Sequence, residues 1–149
     1  MVRVAGGWLC DQVLSGWDAT AVTMDHDDQR SLRILGVRGF DFERAITRPV
    51  GGGCLQAIVV DSEIYRADER VRRMVRGAFE VGRTDIRIWG DDLPDDFDGA
   101  GLITHRLSAA ALAFKAQALA ADSADAQPVD TEEFQRAALR RLAAVLRHV

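Results

Sequence analysis

The sequence predicts a mixed α/β fold, a small mixed β-sheet of about four to five strands with helices packed on its faces and a C-terminal helical pair, and three observations carry that prediction. Gln56 to Val60 reads QAIVV, the nearly continuous apolar pattern of a strand covered on both faces and hence a candidate for the centre of the sheet. Val71, Met74, Val75, Ala78 and Phe79 then recur at i, i+3, i+4, i+7 and i+8, one apolar helix stripe beginning at Asp68, with Gly82 as its stop. Asp85 to Trp89 (DIRIW) returns to strand periodicity. Residues 56–90 therefore read as strand, helix and strand with a parallel, right-handed connection.

The flanking elements follow by the same rules. Leu9, Val13, Leu14 and Trp17 stand at helical spacing, so residues 6–16 read as a helix that Gly16 ends. Ala19 to Met24 and Leu32 to Val37 are two β-rich runs, and the link over residues 25–31 is too short for a parallel crossover, which predicts an antiparallel hairpin. Asp41 can cap a short helix bearing Phe42, Ala45 and Ile46, stopped at Arg48-Pro49 because a residue before proline avoids the helical region. Gly51 to Gly53 form a flexible joint, and Gly101 to His105 suit an edge strand. Ser108 can cap a helix running to about Ala121.

Beyond it, residues 123–129 form a polar hinge. Asp130 with Glu133 resembles a capping box for a last helix over residues 130–149, with Phe134, Ala138, Leu142, Val145 and Leu146 as its apolar stripe. The expected organisation is one α/β domain over residues 1–122, the hinge, and that helix packed on or extending from the domain.

Composition narrows the function classes. A chain of 149 residues buries roughly 70% of its unfolded surface, enough for a core without staples. Its net charge of −4 and pI near 5.3 oppose phosphate backbones, so nucleic acid is a poor partner. The basic side chains are 18 Arg and the single Lys115. Cys10 and Cys54 lack metal or redox spacing and read as small hydrophobes in a reducing compartment. Asp11 interrupts the apolar residues between Trp8 and Leu14, with no small-residue cleavage site after them, and the longest apolar run, Ala109 to Phe114, is far too short for a membrane span. A cytoplasmic protein is expected.

Acidic residues end several predicted strands: Asp25, His26, Asp27 and Asp28 after one, Asp61, Ser62 and Glu63 after another, Asp91 and Asp92 after a third. Ligands of open α/β sheets bind beyond the carboxyl ends of strands, and Mg²⁺ takes one or two carboxylates with several waters, which makes Asp61, Asp91 and Asp92 the candidate metal residues. The loop from Asp91 to Gly99 fails the EF-hand spacing, since Gly99 at position six puts Pro94 at position one and His105 at position twelve. No phosphate-cradling Gly-rich loop or serine elbow is present, and no organic cofactor is implied. His105 lies near the carboxyl end of its strand, where an imidazole can act as acid, base or ligand.

The segment AIVVDSEIYRADERVRRMVRGAF over residues 57–79 resembles the opening strand and helix of response-regulator receiver domains. A receiver continues with strands ending in a phosphoacceptor Asp, in Thr or Ser, and in Lys. IWGDDLPDDFDG lacks that arrangement and Lys115 falls inside a predicted helix, so the chain is not assigned to that family.

Arg66, Arg70, Arg73 and Arg76 fall on one side of the middle helix, with Glu69 one turn from Arg72 and Arg73. Arg136, Arg140 and Arg147 form a stripe on the predicted last helix. Trp89 reads as core, while Trp8, near a terminus, can face a partner. With no catalytic motif surviving its spacing test, the sequence expects a non-catalytic regulatory or adaptor domain. It would bind a protein partner or a second copy of itself through Trp8, Arg70, Arg73, Arg136 and Arg140. The alternative is a Mg²⁺-dependent phosphoryl-binding or hydrolytic domain using the acidic strand ends.

Overall fold

The computed structural model describes residues 1–23, 29–47, 56–80, 84–122 and 125–139. They form a mixed α/β fold that divides into two compact units, Met1–Gly52 with Thr104–Glu133, and Gly53–Ile103 with Phe134–Val149.

In the first unit, α1 (Val2–Leu14) ends where the sequence predicts. Trp17 N donates to Gln12 O and Gly16 N to Val13 O, both at 2.9 Å, and Gly16 takes a φ of 88° that glycine adopts without strain. β1 (Thr20–Thr23) is followed by α2 (Gln29–Ile34) and β2 (Arg38–Asp41). The expected hairpin is not formed: β1 and β2 are parallel, with Thr20 opposite Arg38 and Thr23 opposite Asp41. Parallel strands require a crossover, and the run beginning at Leu32 supplies it as a helix. Leu32 and Leu35 are fully buried and Ser31 Oγ donates to Ala118 O at 3.0 Å, so packing against α6 (Ala109–Ala121) selects helix over strand. Val37 N donates to Leu32 O and Gly36 N to Arg33 O, the same terminal pattern that closes α1.

Two caps stand as the sequence predicts. Asp41 Oδ1 accepts from Glu43 N at 3.0 Å and Arg44 N at 3.3 Å at the start of α3 (Phe42–Thr47), and Ser108 Oγ accepts from Ala111 N at 3.0 Å at the start of α6. The helix α1 also packs on α6, and Gly7 permits the contact between α1 and Leu107, whose Cδ2 lies 2.2 Å from where a Cβ would stand.

The second unit contains β3 (Ala57–Asp61), α4 (Ser62–Ala67), α5 (Glu69–Glu80) and β4 (Asp85–Trp89). With β5 (Phe97–Arg106) and β6 (Thr131–Leu139), β3 and β4 make a four-stranded sheet of order β3-β4-β6-β5. The division between the units falls within β5 and β6. As expected, β3 and β4 are parallel, Ala57 opposite Asp85 and Asp61 opposite Trp89, with Val71 and Val75 of α5 buried. The apolar run of β3 is nonetheless an edge strand of this sheet, and of its residues only Val60 is buried; β4, with Ile86 and Ile88 buried in alternation, is an inner one.

The predicted C-terminal helical pair is corrected as well, because residues 131–139 form a strand. Glu132 and Phe134 are buried while Thr131 and Glu133 are exposed, a period of two. Antiparallel pairing sets Ile88 opposite Gln135 and Arg87 opposite Arg136, and the Arg87 guanidinium lies 5.8 Å from the centre of the Phe134 ring. Leu142, Val145 and Leu146 lie outside the described residues. No described helix is long and apolar enough to cross a membrane.

Candidate functional site

In the first unit a histidine and a carboxylate meet. Asp11 lies in the last turns of α1 and His105 in β5, 94 residues later, with His105 Nε2 and Asp11 Oδ2 2.8 Å apart. Asp11 Oδ2 also accepts from Ser108 N at 3.1 Å. Both side chains are mostly buried, 22% exposed for His105 and 15% for Asp11. Burial pushes the Asp11 carboxyl up, but the hydrogen bonds from Ser108 and the adjacent His105 outweigh it and hold Asp11 below the ordinary aspartate range. An ionised carboxylate only accepts hydrogen bonds, so Nε2 carries a proton, and in the neutral imidazole Nδ1 is then the acceptor. This is the arrangement in which a carboxylate fixes the tautomer and orientation of a general base. The neighbouring Cys10 is a buried free thiol, pushed above its ordinary range by burial and then by the Asp11 charge.

A second constellation lies within the second unit. A cleft of about 280 Å³ is lined by Tyr65, Arg66, Arg72, Arg76, Asp95 and Asp96. Asp96 Oδ2 accepts from the Tyr65 hydroxyl at 2.9 Å and from Arg76 at 2.6 Å. The Arg76 guanidinium holds the Asp96 carboxyl below the ordinary range, while burial and then Asp96 as acceptor push the Tyr65 hydroxyl up.

The sequence-predicted site residues are distributed differently. Parallel pairing sets the carboxyl ends of β3 and β4 on one sheet edge, which brings Asp61 towards Asp91 and Asp92 in topology. The Asp61 carboxylate is engaged there: Oδ1 accepts from Glu63 N at 2.8 Å, capping α4, and Oδ2 accepts from Trp89 Nε1 at 2.9 Å. Among the described residues no three or more His, Cys, Asp or Glu side chains gather where they could hold a metal ion. Asp25, His26, Asp27 and Asp28 lie outside those residues.

Trp8 is 5% exposed, its N donating at 2.8 Å to Glu132 Oε2, so it serves the core of the first unit. Arg70 pairs with Asp68 at 2.8 Å, Arg136 stands 3.5 Å from Asp85, Arg73 is exposed on α5, and Arg140 lies outside the described residues. Arg72 pairs with Glu69 as predicted, and Arg66 and Arg76 line the cleft, but Arg66 lies on α4 and not on the helix α5 that carries Arg70, Arg73 and Arg76. The role of Asp11 was missed in the sequence, where it registers only as a polar interruption of an apolar run. No local signal links it to His105.

No protein-family model matches the sequence, and no curated protein matches it either. Two solved structures share its fold. One is the A40926 pseudoaglycone deacetylase Dbv21, 12% identical with a TM-score of 0.62, the match covering 93% of this chain and 92% of that one. The other is a triple mutant of a deacetylase involved in the teicoplanin biosynthetic pathway (Orf2*T), 12% identical with a TM-score of 0.67 over 95% of this chain and 94% of that one. This likeness corrects the reading of the chain as a non-catalytic regulatory or adaptor domain: both structures are deacetylases.

Proposed function

We propose that the chain is a deacylating hydrolase that cleaves the amide bond between an acyl group, such as acetyl, and a small-molecule amine. The observation that carries this reading is the Asp11–His105 pair in a fold whose solved neighbours are deacetylases. His105 Nδ1 takes a proton from water as the water oxygen adds to the acyl carbon. The carbon–nitrogen bond then breaks, the imidazolium returns the proton to the departing amine, and the products are a carboxylic acid and an amine. Asp11 keeps Nε2 protonated and stabilises the cation that forms between the two proton transfers. We include a cytoplasmic location in this reading, which the buried free thiol of Cys10 supports.

The test is acetate release from a panel of N-acetylated amines, sugars and glycopeptides. His105→Ala should lower kcat by about a hundredfold or more, the range of a positioned acid–base group, with the circular dichroism spectrum unchanged. Asp11→Asn should lower kcat less. Release of acetate at an undiminished rate by a folded His105→Ala protein would exclude His105 as the base, and absence of release from the whole panel would reject the deacylase reading.

A further inference from the structure

The proposed hydrolysis uses no residue of the cleft in the second unit, and the guanidinium groups of that cleft are unevenly paired. Arg76 is neutralised by Asp96 at 2.6 Å, and Arg72 by Glu69, with its remaining donors on the carbonyls of Tyr65 and Arg66. Arg66 donates through one terminal nitrogen to the backbone oxygen of Asp92 and has no carboxylate partner among the described residues. Donors of the Arg66 guanidinium are therefore left for a ligand.

The donors are guanidinium groups, whose planar fork matches the two oxygens of a carboxylate. Asp96 holds Arg76 in place, and it is itself fixed by the hydroxyl of Tyr65, a residue 1% exposed whose ring packs at 5.0 Å on Phe97. One wall of the cleft is thus anchored in the core. The exposed Asp95 carboxylate on the same lining opposes a second negative charge. A monoanion fits this balance better than a dianion.

We propose that this cleft binds the carboxylate of a small organic molecule, with Arg66 as the principal donor and Arg76, aligned by Asp96 and Tyr65, as the second. Each guanidinium presents N–H groups to one face of the ligand. Because the cleft is open, the affinity falls as salt screens the pair.

Binding is read directly by titrating the full chain with benzoate, with benzyl alcohol as the neutral counterpart and inorganic phosphate as the competing anion, following the Arg side-chain Nε–H signals by NMR. Benzoate should shift the Arg66 and Arg76 signals saturably, and benzyl alcohol should not. Arg66→Gln should weaken benzoate about tenfold, the loss of one charge-assisted contact, and Asp95→Asn should tighten it. The opposite signs of the two variants separate a lost ligand contact from a damaged fold. Absence of saturation, an equal response to benzyl alcohol, tighter binding of phosphate than benzoate, or indifference to Arg66→Gln would each overturn the proposal. None of these readouts depends on turnover, so they stand apart from the test of the deacylase reading.

Discussion

Each unit carries an ionic cluster, and the two are built for different ends. In the first, Lys115 Nζ and Glu132 Oε1 are 2.6 Å apart with both side chains 1% exposed. Glu132 also accepts from the backbone N of Gly7 and of Trp8, each at 2.8 Å. One carboxylate thus ties α1, α6 and the start of β6 together, with no path for a ligand. In the second unit, Arg76 and Asp96 are about as close, but 45% and 35% exposed at the rim of a cleft. Desolvation makes the first pair costly to break, whereas water around the second leaves its charges available for exchange.

The largest expected effect follows from the buried pair. Lys115→Met leaves a buried carboxylate with backbone donors but no counter-charge, and should lower unfolding free energy by about 3–5 kcal/mol in urea titration. Adding Glu132→Gln should recover part of that loss, since the remaining group is neutral and its one amide oxygen still accepts from Gly7 or Trp8. The exposed pair gives the contrast: Arg76→Gln should change stability by less than about 1 kcal/mol. Equal losses at the two pairs would remove the distinction between them.

Close approaches of glycine offer a second comparison, of smaller size. A Cβ at Gly7 would stand 2.2 Å from Leu107 Cδ2, and one at Gly90 would stand 2.1 Å from Ser62 Oγ, at a residue whose φ is already 115°. Ser62 Oγ is buried with no hydrogen-bond partner among the described residues, so this contact carries crowding without a compensating bond. Both Ala variants should destabilise by about 1–3 kcal/mol from overpacking, and Gly90→Ala by more, because the left-handed backbone adds its own strain. Thermal unfolding of the two variants ranks them, and a milder Gly90→Ala would show that Ser62 moves aside freely.

Asp11 and Asp96 sharpen the comparison through pH. Both carboxyls are held below the ordinary value near 3.9, Asp11 by Ser108 and His105 against the burial that raises it, Asp96 chiefly by Arg76. A depressed folded pKa contributes stability that is present above the unfolded value and disappears as pH falls through the folded one. Both contributions should therefore be lost below about pH 4. Asp11→Asn should cost about 0.5–1.5 kcal/mol at neutral pH, discounted for the solvent that still reaches the pair, and should flatten the acid limb of the stability profile. An acid limb identical to that of the parent would show that Asp11 gains nothing from its partners.

The sequence revealed what local rules decide. Ser108 and Asp41 were legible as caps because a side-chain oxygen two or three residues before free N–H groups is a local device, and α5 because its stripe spans two turns. α2 was not legible, since a short apolar run does not distinguish strand from helix; the signal available was Gly36, whose φ of 75° ends a helix. β6 was missed because TEEFQRAAL has helical composition, and pairing with β4 overrides propensity. The Asp11–His105 pair was hidden by a separation of 94 residues, and the Arg66 and Arg76 cleft because arginines on α4 and α5 say nothing of what stands opposite them.

The smallest effect comes from a local pair at the junction of α4 and α5. Asp68 separates α4 from α5 with an extended backbone, φ −120° and ψ 115°, and its carboxylate accepts at 2.8 Å from both the Arg70 backbone N and its guanidinium. Those bonds, the guanidinium first, lower its pKa to about 2. A carboxyl NMR titration should therefore show Asp68 ionised until pH approaches about 2, later than any aspartate without a partner. Asp68→Asn should leave the urea midpoint at neutral pH almost unchanged, because the Asn side-chain oxygen still accepts from Arg70 N and water reaches the 42%-exposed Arg70 side chain. A large shift would mean that the break between α4 and α5 depends on the Asp68 charge.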